Sequence, residues 1–381
     1  MSLETPQLPL ELLEDVLSFL QADVLTLKAA SLVCHAWMCA SRRYLFRSIE
    51  FSSRIEQGWI ALPFALGRHI KHIAIRRLEE EVTGGRIRML SHFATELGSL
   101  ELTDIVFHDF VDLTSVIASF RGLHTLTLSR VQWNENSFSA AEGRELHFIP
   151  SSLSTLRIYY LDFQTFVGWM LKHQQQISAW HLGPITPEVK VVCAEYLLHI
   201  RRGLRELGIV FDNGGVHYGD SHYKVKGPTP EGSKEMQRLA SRFESLYGVD
   251  VGMVMRCAEE LRVVRLYKFL SFNEMDRSAA RMWVPKLLVS VESTKLEKVV
   301  LDVEVESLRE AVQSQMNWDF LDEILNTDVY KRAHTVQFNV LTDISPVAFD
   351  DWISVVLPIT YSRGVVRVTR DNKANSKSKL F

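Results

Sequence analysis

The chain has 381 residues, with 43 Lys and Arg against 46 Asp and Glu and a net charge of −3. That length suits one small domain plus an extended one. Apolar residues at 46% and charged residues at 23% give an ordinary globular composition, and so small a net charge offers no global field to gather nucleic acid or anionic lipid.

No run of about 18 uncharged apolar residues occurs, so no membrane partner is expected. Glu4, Glu11 and Glu14 interrupt the first apolar residues with no basic stretch ahead of them, so no secretory signal is expected. Cys34, Cys39, Cys193 and Cys257 show no paired spacing. They are expected to be reduced thiols in a cytoplasmic or nuclear protein.

Three helices fit the stretch from Leu8 to Phe51. In the first, Pro9 suits an early position, where its missing N–H would be unpaired anyway. Leu13, Val16, Leu17 and Leu20 then make an apolar stripe. Asp23 suits the N-cap of a second helix that carries Leu27, Ala30 and Leu32. A third holds Trp37, Ala40, Tyr44 and Leu45, with Arg42 and Arg43 in its last turns. Leu8, Leu10, Leu12, Val24, Leu25, Val33, Met38 and Phe46 are then left over. So small a unit cannot hide them all, so some must cover another surface, in this chain or in a partner.

The order Leu8-Pro9, Glu11-Leu12-Leu13, Val16-Leu17, Leu20, Leu32-Val33-Cys34, Trp37, Arg43, Leu45-Phe46 and Ile49 closely resembles the F-box. The resemblance covers only the first eighth of the chain or so. It implies docking onto the Skp-type adaptor of a cullin–RING ubiquitin ligase, and through that adaptor onto cullin. The positions it implicates are Leu8, Pro9, Leu12, Leu13, Val16, Leu17, Leu32, Val33, Cys34 and Trp37. It does not divide them between the adaptor face and the small core.

Beyond Phe51 the pattern apolar, two others, apolar, one other, apolar recurs. It is clear at Leu97-Leu100-Leu102-Ile105-Phe107, Leu123-Leu126-Leu128-Val131-Trp133 and Leu153-Leu156-Ile158-Leu161-Phe163. Weaker copies begin at Ile70, Ile177, Leu204, Leu261, Leu296 and Ala333. Successive starts lie 24 to 37 residues apart, except for one interval of 57 between Leu204 and Leu261. That interval reads as one repeat with a long insertion, or as two copies of which one has decayed.

Each copy predicts a short strand with one buried face. Helical links are expected over 166–176, 186–203, 235–248 and 345–358, with a last strand over 364–369. This resembles a leucine-rich-repeat domain, which is a common companion of the F-box. The usual Asn or Cys after the strand is replaced by Ile105, Val131, Leu161, Ile185 and Phe269, so uneven repeats are expected. An unrelated α/β domain with several buried strands stays open as the alternative. The expected fold class is therefore α/β: a three-helix F-box (1–51, core 8–51), an irregular leucine-rich-repeat-like solenoid of parallel strands with outer helices (52–369), and a disordered basic tail (370–381).

In that register Arg76, Arg157, Tyr159, His181, Arg265 and Tyr267 point to the concave side. There they would make a basic and aromatic surface for an acidic or phosphorylated segment of an unknown protein target; a merely solvated face is the alternative. The loop 211–232, rich in Gly, Pro and Asp, reads as an insertion that is either functional or disordered.

No phosphate-binding Gly-rich loop, dinucleotide fingerprint or nucleophile elbow occurs. No cofactor, metal or catalytic residue is expected. His217, Asp220 and His222 could hold a cation, but surface loops collect such residues often. The function expected is a non-enzymatic substrate-recognition adaptor. The alternatives are an F-box scaffold acting outside ubiquitin transfer and an enzyme with an unrecognised site.

Overall fold

The computed structural model describes residues 9–21, 23–52, 64–77, 84–134, 147–183, 190–210, 256, 258–271, 284–285, 287–305, 307–314, 316–342 and 344–370. Its eleven described strands follow one another in sequence order, its described pairings are all parallel, and thirteen helices are described. Parallel order with a crossover after each strand makes this an α/β chain. It divides into two compact units, 1–153 and 154–381.

The first unit starts with α1 (Leu10–Phe19), α2 (Val24–Ala30) and α3 (His35–Leu45). Pro9 stands at the N-cap of α1 rather than inside it. Asp23 caps α2, its Oδ1 accepting from the N–H groups of Leu25 (3.1 Å) and Thr26 (3.0 Å). Leu13, Leu17, Leu27, Ala30 and Ala40 form a closed small core, and Leu20, Trp37, Tyr44 and Leu45 pack on it. An Arg43–Glu14 ion pair ties α3 to α1, and the Tyr44 hydroxyl donates to the Glu14 carbonyl at 3.2 Å. Leu32 does not belong to the second helix, as its spacing suggested. α2 ends at Ala30, and Leu32 falls in the turn beyond it.

Residues 48–51 form β1 (Ser48–Phe51), which pairs with β2 (His72–Arg76). The last four residues of the expected helical unit are thus sheet. The Arg47 carbonyl starts the ladder by accepting from Lys71 (2.9 Å) and His72 (3.0 Å). Short helix α4 (Phe64–Gly67), α5 (Gly84–Phe93), β3 (Ser99–Phe107), α6 (Phe110–Ser119) and β4 (Thr125–Trp133) complete the unit. The leucine pattern performs as physics requires: Ile73, Ile75, Leu100, Leu102, Leu126 and Leu128 are all buried on one sheet face.

The second unit holds β5 (Thr155–Tyr159), α7 (Phe163–Lys172), β6 (Ala179–Gly183), α8 (Lys190–Ile200), β7 (Glu206–Val210), β8 (Val263–Ser271) and β9 (Lys298–Glu304). After these come α9 (Leu308–Gln313), α10 (Trp318–Leu325), α11 (Asp328–Lys331), β10 (Thr335–Val340), α12 (Pro346–Val356), α13 (Pro358–Ser362) and β11 (Val366–Arg370). Helices cover the apolar face through aromatic contacts. Trp180 of β6 meets Tyr196 of α8 edge-on at 5.1 Å, and Phe338 of β10 meets Phe349 of α12 at 5.8 Å. Buried Asp322 on α10 joins α13: its carboxylate accepts from the N–H groups of Ile359 and Thr360, both at 2.9 Å.

The expected helix 345–358 is split here between α12 and α13, with Pro358 opening the second. α7 begins three residues earlier than the expected link over 166–176 because Asp162 caps it, and the last strand runs over 366–370 rather than 364–369. β7 pairs directly with β8, so no strand of a decayed copy lies between them across the interval of 57. The expected loop 211–232, the helix 235–248, Leu8, Ile185 and the tail beyond Arg370 lie outside the described residues.

Two devices recur from copy to copy. Arg77, Asp104, Arg130, Tyr160 and Lys268 all have φ between 51° and 54°. Each stands seven residues after a copy's start, at Ile70, Leu97, Leu123, Leu153 and Leu261 respectively. At this position a left-handed backbone turn redirects the strand. It returns Ile105, Val131 and Phe269 to the buried side. The second device is a serine hydroxyl set against two carbonyls of the preceding copy. Ser152 Oγ lies 3.0 Å from Arg121 O and 2.8 Å from Leu123 O, and Ser293 Oγ lies 2.9 Å from Glu259 O and 2.7 Å from Leu261 O.

Candidate functional site

Two surfaces present chemistry that the fold itself leaves unused. The first is on the three-helix head. The structure sorts the positions that the sequence could not. Leu13 and Leu17 are core, and Trp37 lies half-buried against that core. Leu12, Val16, Leu32 and Val33 are exposed, at 50%, 43%, 86% and 67% of their surface. Pro9 and Cys34 are exposed as well.

Phe19, 87% exposed, and the leftover pair Val24 and Leu25 extend this apolar surface. Phe19 was missed by the sequence reading, although the signal was present. Leu12, Val16 and Phe19 stand four and three residues apart and so share one helix face beside the core stripe.

The second surface is the sheet face of unit two opposite the helices. Cross-strand register brings Arg157, His181, Gly208, Arg265, Val300, Gln337 and Arg367 into one row. Tyr159 and Tyr267 follow in the next row of their strands. Of the six residues expected on this side, five therefore meet here. Arg76 belongs to unit one, where Glu101 (2.7 Å) and Glu50 (3.6 Å) pair with it.

The character of this face differs from the expected free basic surface. Arg265 is engaged bidentately by Asp302, at 3.1 to 3.3 Å, and its guanidinium lies 4.6 Å over the Tyr267 ring. Asp302 is itself buried and also accepts from Asn339 Nδ2 at 2.7 Å. Burial works against the charge on Arg265, but Tyr267 and Asp302 outweigh it and raise its pKa. Tyr159 and His181 are buried rather than solvated. The His181 and Tyr267 rings lie close over Gly208 on the strand between theirs.

A Cβ at Gly208 would lie 2.3 Å from His181 Nδ1 and 2.9 Å from Tyr267 Cε2, so only glycine admits the two rings. The Tyr267 hydroxyl lies 2.8 Å from His181 Nδ1. The Tyr159 ring packs edge-on against Tyr267, with centroids 6.3 Å apart. Burial, reinforced by Arg157 and Arg265, lowers the His181 pKa to about 3. The ring is therefore neutral. Glu206 Oε1 lies 3.4 Å from Nε2, but a neutral ring makes no ion pair, and Nε2 has no hydrogen-bond partner among the described residues. Burial raises the pKa of both tyrosines, so they too are neutral.

Arg157 remains exposed and has no anionic partner among the described residues. Among those residues no group of three or more His, Cys, Asp or Glu could hold a metal ion, and no helix is long and apolar enough to cross a membrane. His217, Asp220 and His222 lie outside them. Comparison with protein-family models and with curated proteins finds no match for the chain.

Proposed function

We propose that the chain is a non-catalytic recruitment subunit of a cullin–RING ubiquitin ligase. In this reading its three N-terminal helices form an F-box-like module that docks a Skp-type adaptor, and its strand repeats hold a protein target. The observation that carries the reading is the sorting of side chains in the head. Leu13, Leu17, Leu27, Ala30 and Ala40 already close its core, yet Leu12, Val16, Phe19, Leu25, Leu32 and Val33 stay in water. Exposed apolar surface of this density marks a protein contact. The order of motif residues from Pro9 through Val33 and Trp37 to Phe46 supports the F-box as the form of that contact.

The repeat domain is read as an irregular relative of leucine-rich repeats. Supporting this are the sequence-ordered parallel strands, the spacing of most copies and the left-handed residue at the same place in five of them. The mechanism is proximity: one surface holds the ligase, another holds the target, and the effective concentration of target lysines rises.

The test is co-purification of the full chain with a Skp-type adaptor and cullin. Replacing exposed Leu12, Leu32 and Val33 by Ala is expected to weaken adaptor capture by at least about a hundredfold, as hot-spot residues do, with unchanged thermal unfolding. Trp37 is left intact because it supports the core. Undiminished capture by the triple variant, or no capture by the native chain, overturns the reading.

A further inference from the structure

We propose that the face of β5 to β9 takes, at exposed Arg157, an acidic, unphosphorylated peptide segment, with the Arg157 guanidinium anchoring one of its carboxylates. This deepens the target-binding part of the reading above and rests on it.

The argument begins with charge. Arg157 and Arg265 stand in the same row of this face, but only Arg157 is exposed and without an anionic partner among the described residues. Arg265 is held by Asp302. A phosphate dianion is characteristically met by a cluster of guanidiniums. On β5 to β9 a single one is available, exposed Arg367 of the same row lying on β11, and half-exposed Glu206 nearby repels a double charge more than a single one. One planar guanidinium matches one carboxylate, to which it donates two parallel hydrogen bonds. Lys298, half-buried at the start of β9 and also without an anionic partner among the described residues, offers a second cation farther along the face. A segment with more than one acidic residue therefore fits better than an isolated acid.

The second part of the argument is rigidity. Beside Arg157 the rings of Tyr159, His181 and Tyr267 are fixed by the 2.8 Å contact of the Tyr267 hydroxyl with His181 Nδ1 and by edge-on packing at 6.3 Å and 5.8 Å. The shelf is neutral, since burial keeps the His181 ring uncharged above a pH of about 3. Exposed Arg157 thus stands beside a rigid, buried and uncharged base, so little freedom is lost on binding.

The experiment selects short random peptides on the immobilised full chain and remakes the best binders with Glu→Gln and Glu→phosphoserine replacements. Selected peptides are expected to carry Asp or Glu. The Gln versions should bind about tenfold more weakly, as loss of a charge-assisted contact dictates, and the phosphoserine versions no more tightly than the parents. R157Q should erase the Glu-over-Gln difference, and R157E should turn the selection towards Lys and Arg. Arg157 is exposed, so both variants keep the fold, as a melting curve will verify. No selected binders, no acidic enrichment, an acidic preference that survives R157Q, or tighter binding of phosphoserine each overturns the proposal. Adaptor capture is measured on the same preparation: its failure beside intact acidic selection counts against the ligase reading alone.

Discussion

Phe19 and Phe349 sit on helices of nearly equal length, 10 and 11 residues, yet Phe19 is 87% exposed and Phe349 is 0% exposed. Around Phe19 lie other apolar side chains in water. Around Phe349 lie Phe338 at 5.8 Å and Trp352 at 5.3 Å. The head and the strand repeats use their side chains in opposite ways. The head leaves apolar groups outside a core too small to take them, while the repeats bury even polar groups such as His181 and Asp302. An apolar surface left in water costs free energy on its own and repays it only by contact with something else, whereas a buried polar cluster stabilises only while its geometry holds.

The largest consequence of this contrast falls on the repeats. F349A removes a fully enclosed ring between β10 and α12 and should cost about 4 kcal/mol of unfolding free energy, within the range for core Phe truncations. Urea denaturation of the full chain measures it. A cost below about 1 kcal/mol would mean that α12 does not close the sheet as described.

The repeats were legible in the sequence because alternating leucines have one physical solution, a half-buried strand. The register that places Arg157, His181 and Arg265 in one row followed from the same pattern. What the pattern could not show is where the chain turns. Left-handed backbone usually announces itself through Gly or Asn, and here Arg77, Asp104, Arg130, Tyr160 and Lys268 adopt it. Nor could it show that Asp302, 37 residues beyond Arg265, would neutralise it. Local spacing says which face a side chain occupies, not which partner the next strand brings. β1 was hidden for a related reason: Ile49 and Phe51 alternate over only four residues, directly after a helix with the same apolar content.

A middle-sized effect probes the buried polar cluster. Burial holds the His181 pKa at about 3, while the unfolded chain takes up a proton near 6.5. Between those values the unfolded state binds more protons, so stability falls as pH falls below 6.5 and is retained in full above it. Between pH 6.5 and 5, where few carboxylates titrate, the loss should be about 2 kcal/mol. H181Q removes the titrating group, so its stability should change less over that interval, whatever its absolute value. Equal pH slopes for the native chain and H181Q would show that this ring is protonated in the fold and that the face is charged.

The smallest expected effect bears on the head, and its smallness is the informative part. F19A deletes a large apolar side chain, but one whose ring is already in water in the free chain. Its burial term is therefore nearly absent from folding, and the unfolding free energy should change by less than about 0.5 kcal/mol, as for surface positions generally. The same substitution should reduce self-association of the isolated chain, read by light scattering, because it removes part of the exposed apolar surface. A loss of several kcal/mol would mean that Phe19 is covered in solution by the chain itself. The head would then bury its apolar groups as the repeats do, and no surface would remain for an adaptor.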